Sequence, residues 1–251
     1  MSKNKTNQMM FVGDPHGRHQ HIIEAIIQDN PIACVLLGDQ SYDKPIDSLF
    51  ACIDGTTAFH WIHGNHDTDQ KQWYENLFHS PWCDKNLHAR VEQIGDIRIA
   101  GLGGVFRGSV WHPDTGVQYE SKDSWKLAHP SKKYAQKQRK HESSIWLDDY
   151  ENLAKQRADI LVTHEAPDCH RLGLKAISEL AERLGARLIV HGHHHRQYTD
   201  VLDSGIAVIG TGLAQVVTLD LDIFHSADSA EEIIQGFSFG MVAKRGGGWL
   251  K

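Results

Sequence analysis

The chain has 251 residues, a formal net charge of −6 at pH 7 and a sequence pI of about 6.3. This length suits one large domain or two small ones, and because no apolar run reaches about 18 residues, we expect no membrane span. The acidic balance argues against sequence-independent binding along a nucleic-acid backbone, which needs a basic surface, although a bound metal could attract a small anionic substrate.

Three features of the composition bear on the compartment and the chemistry. Residues 1–8 are polar and lack the apolar core of a signal peptide, so we expect a cytoplasmic protein. The four cysteines are far apart and form no Cys-x-x-Cys pair, which predicts free thiols. Histidine is abundant, with 18 residues, and because histidine is the commonest metal ligand this excess indicates a metal site.

The first third of the chain alternates apolar runs with helical patterns. Apolar residues 9–12, 32–37 and 57–63 each precede a glycine and a polar loop, and residues 22–27 and 46–53 show helical spacing. The unit recurs about every 25 residues, and such continuous apolar strands are typical of a parallel sheet buried on both faces. In these sheets ligands bind beyond the carboxyl ends of the strands, where the polar loops lie.

The remainder of the chain predicts a second sheet. Residues 89–94 and 97–100 flank Gly95-Asp96, a pattern typical of a hairpin. Two apolar runs, 159–163 and 187–191, end at loops that contain histidine. Helical patterns cover residues 70–78, 142–156, 172–184 and 230–234, and short strands at 197–202, 206–210 and 215–222 are consistent with an antiparallel-rich sheet, followed by an edge strand at 237–243 and a loose glycine run at 246–248.

Residues 108–141 are the least regular part of the chain, which we otherwise interpret as one domain spanning residues 1–251. They are polar and rich in lysine, with tryptophan and tyrosine interleaved. A long excursion within a compact domain is usually functional or disordered, so this insertion is either a lid over the site or a solvated loop. The residues concerned are Lys122, Lys126, Lys132, Lys133, Lys137 and Lys140, with Trp111, Tyr119, Trp125 and Tyr134.

Seven side chains at five strand ends have the chemistry of metal ligands. They are Asp14, His16, Asp39, Asn65, His164, His193 and His195. Two carboxylates, one carboxamide and four imidazoles exceed the needs of one ion, and they suit a pair of divalent ions such as Mn, Fe or Zn. If the D-x-H and H-x-H segments are extended, the outer residues of each share one side and can converge, while His194 points elsewhere.

A pair of metal ions indicates hydrolysis of phosphate esters. Two ions about 3.5–4 Å apart suit in-line displacement at phosphorus, because they lower the pKa of a bridging water and neutralise the charge that develops. Such a site also needs a proton donor or a cation near the leaving oxygen. His66, which follows Asn65, is placed for this role, and Asp67 could orient its imidazole.

The motifs resemble those of the calcineurin-like metallophosphoesterases, whose pattern is D-x-H, G-D, G-N-H-D/E, a lone H after a strand, and G-H-x-H. The matching segments are Asp14-Pro15-His16, Gly38-Asp39, Gly64-Asn65-His66-Asp67, Thr163-His164 and Gly192-His193-His194-His195, in that order within residues 9–220. The resemblance implies an α/β fold, a four-layer αββα sandwich of two mixed β-sheets flanked by helices, with the metal site at the carboxyl ends of the strands.

The same resemblance implies how the ligands divide between two metals. One metal would take Asp14, His16, Asp39 and His195, and the other would take Asp39, Asn65, His164 and His193. Asp39 would then bridge the two ions. We therefore expect a phosphorylated substrate and hydrolysis of phosphomonoesters by in-line attack of a metal-bridging hydroxide.

Other activities of the superfamily stay open as alternatives. One is a phosphodiesterase that acts on nucleotides or nucleic acid. Another is a serine/threonine protein phosphatase, because residues 13–18 are similar to the opening motif of that group. The D-R-G motif that this group carries soon after its G-D motif is missing, since the chain has Asp39-Gln40-Ser41-Tyr42-Asp43-Lys44 there. Arg18 or Arg107 could supply the missing phosphate contact, since a guanidinium matches phosphate geometry. The alternative from another class is a non-catalytic scaffold, against which the retained ligands argue.

Overall fold

The computed structural model describes residues 6–131, 134–243 and 248–250, which form two large sheets, two small ones and their helices. In chain order the strands are β1 (Thr6–Val12), β2 (Pro31–Leu37), β3 (Ala58–Ile62), β4 (Arg90–Ile94), β5 (Ile97–Leu102), β6 (Trp111–His112), β7 (Gly116–Val117), β8 (Ile160–Thr163), β9 (Leu188–His191), β10 (Tyr198–Val201), β11 (Ala207–Gly210), β12 (Val216–Asp220), β13 (Phe237–Phe239), β14 (Val242–Ala243) and β15 (Trp249–Leu250). The α-helices are α1 (Gln20–Asp29), α2 (Ile46–Leu49), α3 (Lys71–Phe78), α4 (Lys122–Ala128), α5 (Ala135–His141), α6 (Leu147–Leu153), α7 (Lys175–Leu184), α8 (Leu221–Ser226) and α9 (Ala230–Gln235), and a 3-10 turn (His66–Thr68) follows β3.

Both large sheets are mixed, which confirms the fold class expected from the sequence. The five-stranded sheet has the order β13-β12-β1-β2-β3, in which β1, β2 and β3 are parallel and β12 and β13 antiparallel to their neighbours. The six-stranded sheet has the order β10-β11-β9-β8-β5-β4, with antiparallel strands at its two edges. The parallel strands of each sheet therefore deliver their carboxyl-terminal loops to one edge.

Alternation along the central strands produces four layers. Met9 and Phe11 of β1 belong to the apolar cluster between the two sheets, whereas Met10 and Val12 belong to the cluster beneath α1. In the six-stranded sheet, Val162 of β8 lies between the sheets and the preceding residue of that strand packs with α6 and α7. Because side chains of a strand point alternately to its two faces, a continuous apolar run fills one core on each side.

The assignment of the last strands differs from the sequence-based expectation. We expected residues 215–222 to join the second sheet, but β12 pairs with β1 of the first sheet, with Met9 opposite Leu219. The strands β10 and β11 do belong to the second sheet. After β11 the chain crosses from the second sheet to the first, where β12 pairs with the edge of β1 that β2 leaves open. Val217 and Leu219 of β12 are fully buried between the two sheets.

The insertion at residues 108–141 is more regular than its sequence indicated. It contains the β6–β7 pair and the helices α4 and α5, and its Trp111 and Trp125 are buried against the outer face of the second sheet. The helix expected at 142–156 is shorter, since α6 begins at Leu147. Lys132 and Lys133 of the insertion, and Gly246 and Gly247 of the glycine run, lie outside the described residues.

The structure also bears on two expectations from the sequence, which concern membrane-spanning segments and the cysteines. Within the described ranges, no helix is both long enough and apolar enough to cross a membrane. All four cysteines are unpaired, and Cys34 is buried in β2, where burial raises the pKa of its thiol above the usual range. The buried thiol therefore packs as a small apolar side chain.

Substitutions of two neighbouring isoleucines in α1 test which side of this helix packs against the first sheet. Ile26 is 2% exposed and packs against the first sheet, whereas Ile27 is 59% exposed on the opposite side of the helix. Ile26→Ala should lower the free energy of unfolding by about 2–5 kcal/mol, because it leaves a cavity. Ile27→Ala should change it by no more than about 0.5 kcal/mol. Urea unfolding of both variants measures the difference, and equal effects would contradict this orientation of α1.

Candidate metal centre

The predicted ligands come together at the carboxyl ends of β1, β2, β3, β8 and β9. Four of them have ligand atoms within 4.8 Å of one another and form a first group, Asp14, His16, Asp39 and His195. A second group with the same spacing contains Asp39, His164 and His193. Asn65 adjoins this second group, since its Oδ1 lies 3.2 Å from Nε2 of His164. The two groups share Asp39, as the motif resemblance implied.

The loops that carry these ligands are not extended, contrary to our expectation. Left-handed backbone angles occur at Asp14 (φ 44°), His16 (φ 44°), Asp39 (φ 53°), His193 (φ 72°) and His195 (φ 54°). His193 and His195 consequently fall into different groups instead of converging. A non-glycine residue in this region is uncommon, and clusters of such residues are typical of functional sites.

Close packing of the loops explains two glycines of the motifs. A Cβ atom on Gly64 would lie 2.2 Å from Oδ1 of Asp39 and 2.5 Å from Cε1 of His164. A Cβ atom on Gly38 would lie 2.4 Å from Nδ1 of His164, and the φ of Gly38 is +101°. Both positions therefore require glycine, because any side chain would displace Asp39 or His164.

Asp39 is the most constrained carboxylate of the centre. Its Oδ1 accepts a hydrogen bond from the backbone N–H of His66 at 2.8 Å, and its Oδ2 lies 3.5 Å from His164 Nε2 and 3.8 Å from His16 Nε2. Burial by itself would raise the pKa of Asp39, but the charge and hydrogen bond of His164 outweigh it and hold this pKa well below the usual range. Asp39 is therefore ionised and ready to ligate a cation.

Asp14 is compensated only in part, by the charge of His164 and by a backbone donor. It is fully buried, and both of its carboxylate oxygens accept from the backbone N–H of His193 at 3.0 Å. Burial raises the pKa of Asp14 to about 8, and repulsion from Asp39 and Asp67 adds to this effect. An anion in this position needs a further positive charge close to it.

The orientation of His164 provides a test of whether a metal fits. Nδ1 of His164 donates to the backbone carbonyl of Leu37 at 2.8 Å, which turns Nε2 towards Asn65 Oδ1 and Asp39 Oδ2. Nε2 thus faces two oxygen acceptors, so this position favours a positive charge, either a proton on Nε2 or a metal ion in its place. Burial would lower the pKa of His164, but Asp39 and Asp14 raise it to about 10. A histidine anchored by its other ring nitrogen is typical of metal ligands, so the donor set fits.

His66 stands at the exposed mouth of the centre. Its ring centroid lies 5.5 Å from that of His16, and Nδ1 of His66 lies 2.6 Å from Oδ2 of Asp69. Asp67, which we expected to orient this imidazole, points into the protein instead. It is fully buried and accepts from the backbone N–H groups of Gly64 (2.8 Å) and Ser41 (2.9 Å).

The partner of His66 is therefore Asp69 and not Asp67. His66 and Asp69 lie at the ends of a 3-10 turn that has about three residues per turn, so side chains three positions apart share one face. The spacing His66-Asp67-Thr68-Asp69 was visible in the sequence, but only the turn type selects the later carboxylate. Asp67 anchors the loop that carries Asn65, and burial together with repulsion from Asp39 raises its pKa to about 7.

The two arginines singled out from the sequence have different surroundings. Nη2 of Arg107 donates to Oγ of Ser143 at 3.0 Å. Burial lowers the pKa of Arg107, and the nearby carboxylates of Asp69 and Glu165 act in the opposite direction. Arg18 follows the first motif and lines a shallow cavity beside α1. Neither guanidinium hydrogen bonds to a predicted ligand among the described residues.

A further cluster next to the second group was not expected. Glu165, His193 and His194 also have ligand atoms within 4.8 Å of one another. His194, which we expected to point elsewhere, stacks on His170 with ring centroids 4.2 Å apart. Glu165 accepts from the backbone N–H of Phe106 at 3.2 Å and so supports the wall of the centre.

A comparison with known families identifies this arrangement. Residues 8–197 match the model of the calcineurin-like phosphoesterases. The chain belongs to this family. Members are metal-dependent hydrolases of phosphate esters with two-metal sites, and the two ligand groups that share Asp39 agree with that architecture.

Relatives of this phosphoesterase share its sequence or its fold. It is 37% identical over 203 residues to an uncharacterised protein of Haemophilus influenzae, a match that covers 76% of this chain and 84% of the relative. The protein TT1561 of Thermus thermophilus has a similar structure, with a TM-score of 0.58, 13% identity and coverage of 94% and 99% of the two chains. A dimetal phosphatase of Danio rerio has a TM-score of 0.51 and 14% identity, with coverage of 86% and 96%. Both structural likenesses show the fold.

The separate roles of Asp67 and Asp69 can be tested on stability. Asp67→Asn should lower the free energy of unfolding of the metal-free protein by about 1.5–3 kcal/mol, because the amide loses one charged acceptor and turns an N–H towards a backbone donor. Asp69→Asn, at an exposed position, should change it by no more than about 0.5 kcal/mol. Urea unfolding provides the values, and an Asp67→Asn protein as stable as the parent would rule out the anchoring role.

Proposed function

We propose that this phosphoesterase hydrolyses phosphomonoesters with two divalent metal ions. The observation that carries the proposal is the pair of ligand groups sharing Asp39, with the His66–Asp69 pair at their exposed mouth. A carboxylate common to two groups suits two ions side by side, and an imidazole held by a carboxylate suits proton donation.

The residues that would hold the two ions are those implied by the motifs. Asp14, His16, Asp39 and His195 would hold one ion, and Asp39, Asn65, His164 and His193 would hold the other; the proposed ions are Mn, Fe or Zn. When bound, such a pair supplies an activated water and neutralises charge on the phosphoryl oxygens. The two oxygen acceptors that face Nε2 of His164 and the only partly compensated burial of Asp14 support this assignment.

His66 is proposed as the proton donor to the leaving oxygen. Its Nδ1–H donates to the carboxylate of Asp69, so the proton to be transferred is carried on Nε2. The carboxylate of Asp69 fixes the direction of the ring. In this role Asp69 replaces Asp67, which acts only through the backbone that it anchors.

Arg107 is the stronger candidate for a contact to the substrate phosphate. Its hydrogen bond to Ser143 restrains the guanidinium, and its proximity to Asp69 and Glu165 places it beside the mouth of the centre. Arg18 is a second candidate, because its charge acts on His16. Residues 39–44 lack the D-R-G arginine that protein phosphatases carry soon after the G-D motif, which supports a small phosphomonoester rather than a phosphoprotein as substrate.

Loss of the shared carboxylate tests the reaction class. Asp39→Asn should reduce kcat/KM for p-nitrophenyl phosphate, measured with Mn²⁺, by at least about a hundredfold, because even partners outside the metal ligands commonly contribute 10–100-fold. Asp43→Asn, in the same loop but outside both groups, is the control and should retain activity. A metal-loaded parent protein that turns over no phosphomonoester would refute the proposal.

Phosphodiester hydrolysis is the second candidate function, because family membership extends to both ester classes. The parent protein should hydrolyse p-nitrophenyl phosphate with a kcat/KM at least about tenfold above that for bis(p-nitrophenyl) phosphate, a difference of about 1.4 kcal/mol in transition-state binding. The reverse preference would favour the phosphodiesterase alternative. Both rates should be measured on the same metal-loaded preparation.

Dependence on the leaving group tests proton donation by His66. His66→Gln should slow hydrolysis of an alkyl phosphate by about 10²–10⁴-fold and that of p-nitrophenyl phosphate much less, because an aryl oxide leaves without a proton. Asp69→Asn should show the same pattern with a smaller magnitude. Equal losses on both substrates would indicate that His66 contacts the phosphoryl group instead of protonating the leaving oxygen.

We also propose that the enzyme acts in the cytosol. The four unpaired cysteines support this location, since free thiols persist in a reducing compartment. Partition of an expressed, epitope-labelled chain between soluble and membrane fractions tests it.

A further inference from the structure

The lysines of the insertion at residues 108–141 divide into two kinds. Lys122 forms an ion pair with Glu142, and Lys126 lies 3.9 Å from the carboxylate of Asp123. Lys137 and Lys140 of α5 are exposed, and no carboxylate of the described residues lies within 4.0 Å of either amine. Two positive charges of the insertion thus stay uncompensated in an acidic protein.

These two amines line a cavity of about 430 Å³ between α5 and the 3-10 turn that carries His66. Its lining consists of Thr68, Asp69, Tyr134, Gln136, Lys137, Arg139 and Lys140. Three cationic side chains therefore face one carboxylate, although the chain as a whole carries a charge of −6. A cleft lined by charges of one sign concentrates ligands of the opposite sign.

Arg139 gives this cavity a fixed wall. Its Nε donates to the backbone carbonyl of Thr68 at 3.1 Å, and its Nη2 donates to that of Asp69 at 3.2 Å. The guanidinium thus joins α5 to the turn through neutral acceptors, so its charge is not cancelled by a carboxylate there. The pKa of the neighbouring His141 is lowered to about 4 by burial and by the positive charges of Arg107, Lys137 and Lys140. Arg107, Lys137 and Lys140 therefore all lie close enough to His141 to lower its pKa.

The position of the cavity indicates which part of the substrate would occupy it. Asp69 lines the cavity and also holds His66 at 2.6 Å. Because His66 is proposed to protonate the leaving oxygen, the leaving group must lie on the side of His66. The leaving oxygen would face Nε2 of His66, whereas Asp69 and the cavity adjoin its Nδ1, so a leaving group that extends past the imidazole would reach the cavity.

We propose that this cavity binds a second phosphate carried by the leaving group, so that the preferred substrates are small bisphosphates. The inference rests on the proposed function, since it takes the leaving-group side from the role of His66. Two ammonium groups and a guanidinium match a dianionic phosphate in charge and in hydrogen-bond donors. The net acidity of the chain favours a small molecule over a nucleic-acid backbone as the source of that phosphate.

The experiment compares adenosine 3′,5′-bisphosphate with adenosine 5′-monophosphate as substrates of the Mn²⁺-loaded full chain. The parent should have a kcat/KM about tenfold higher for the bisphosphate. In Lys137→Gln/Lys140→Gln this ratio should fall to about one, because only the second phosphate contacts the amines. Lys126→Gln/Lys155→Gln removes the same charge outside the cavity and should retain the ratio of the parent. Both pairs should retain the parent's thermal unfolding midpoint.

A second readout does not depend on turnover. Calorimetric titration of the metal-free protein with inorganic phosphate should show binding that Lys137→Gln/Lys140→Gln weakens by about tenfold and that Lys126→Gln/Lys155→Gln leaves unchanged. An unchanged substrate ratio and an unchanged affinity for phosphate would overturn the proposal and leave the lysines as favourable charges at the end of α5. An effect confined to a 5′-phosphorylated oligodeoxynucleotide would also overturn it. If no phosphomonoester is turned over, the proposed function fails, while the titration still tests the cavity.

Discussion

The centre depends on the burial of three carboxylates in one small volume. Asp14, Asp39 and Asp67 are at most 1% exposed, and each raises the cost of ionising the others. The surrounding loops respond with fixed donors, namely backbone N–H groups for all three and the imidazole of His164 for Asp39. For Asp39 these donors outweigh the burial, but the pKa values of Asp14 and Asp67 stay raised, so part of the buried charge lacks a countercharge. The burial of these carboxylates therefore creates the need for bound cations.

The backbone contributes to the same arrangement. Five of the seven predicted ligands have left-handed backbone angles, which cost about 1–2 kcal/mol each for a residue with a side chain. Gly38 and Gly64 allow the loops to approach one another closely enough to hold these angles. Such strain persists only where the surrounding structure enforces it, and here the two sheets do so by fixing the strand ends.

The insertion combines an apolar interior with a charged edge. Trp111 and Trp125 are buried against the second sheet, which explains why a segment with a polar composition forms regular structure. Arg139 then ties α5 to the turn after β3 through two backbone carbonyls. The chemistry of the centre and the charge of the insertion are consequently joined at Asp69, which touches both.

Local sequence was enough to locate the strand ends and the seven candidate ligands, because apolar runs and glycine-bounded loops are short-range patterns. It was also enough to indicate two mixed sheets through the order of the motifs. Tertiary structure alone decided that β12 joins the first sheet, that the ligand loops adopt left-handed backbone angles, and that Asp69 and not Asp67 holds His66. Each of these outcomes depends on backbone angles or on contacts between residues distant in the chain, which side-chain periodicity does not encode.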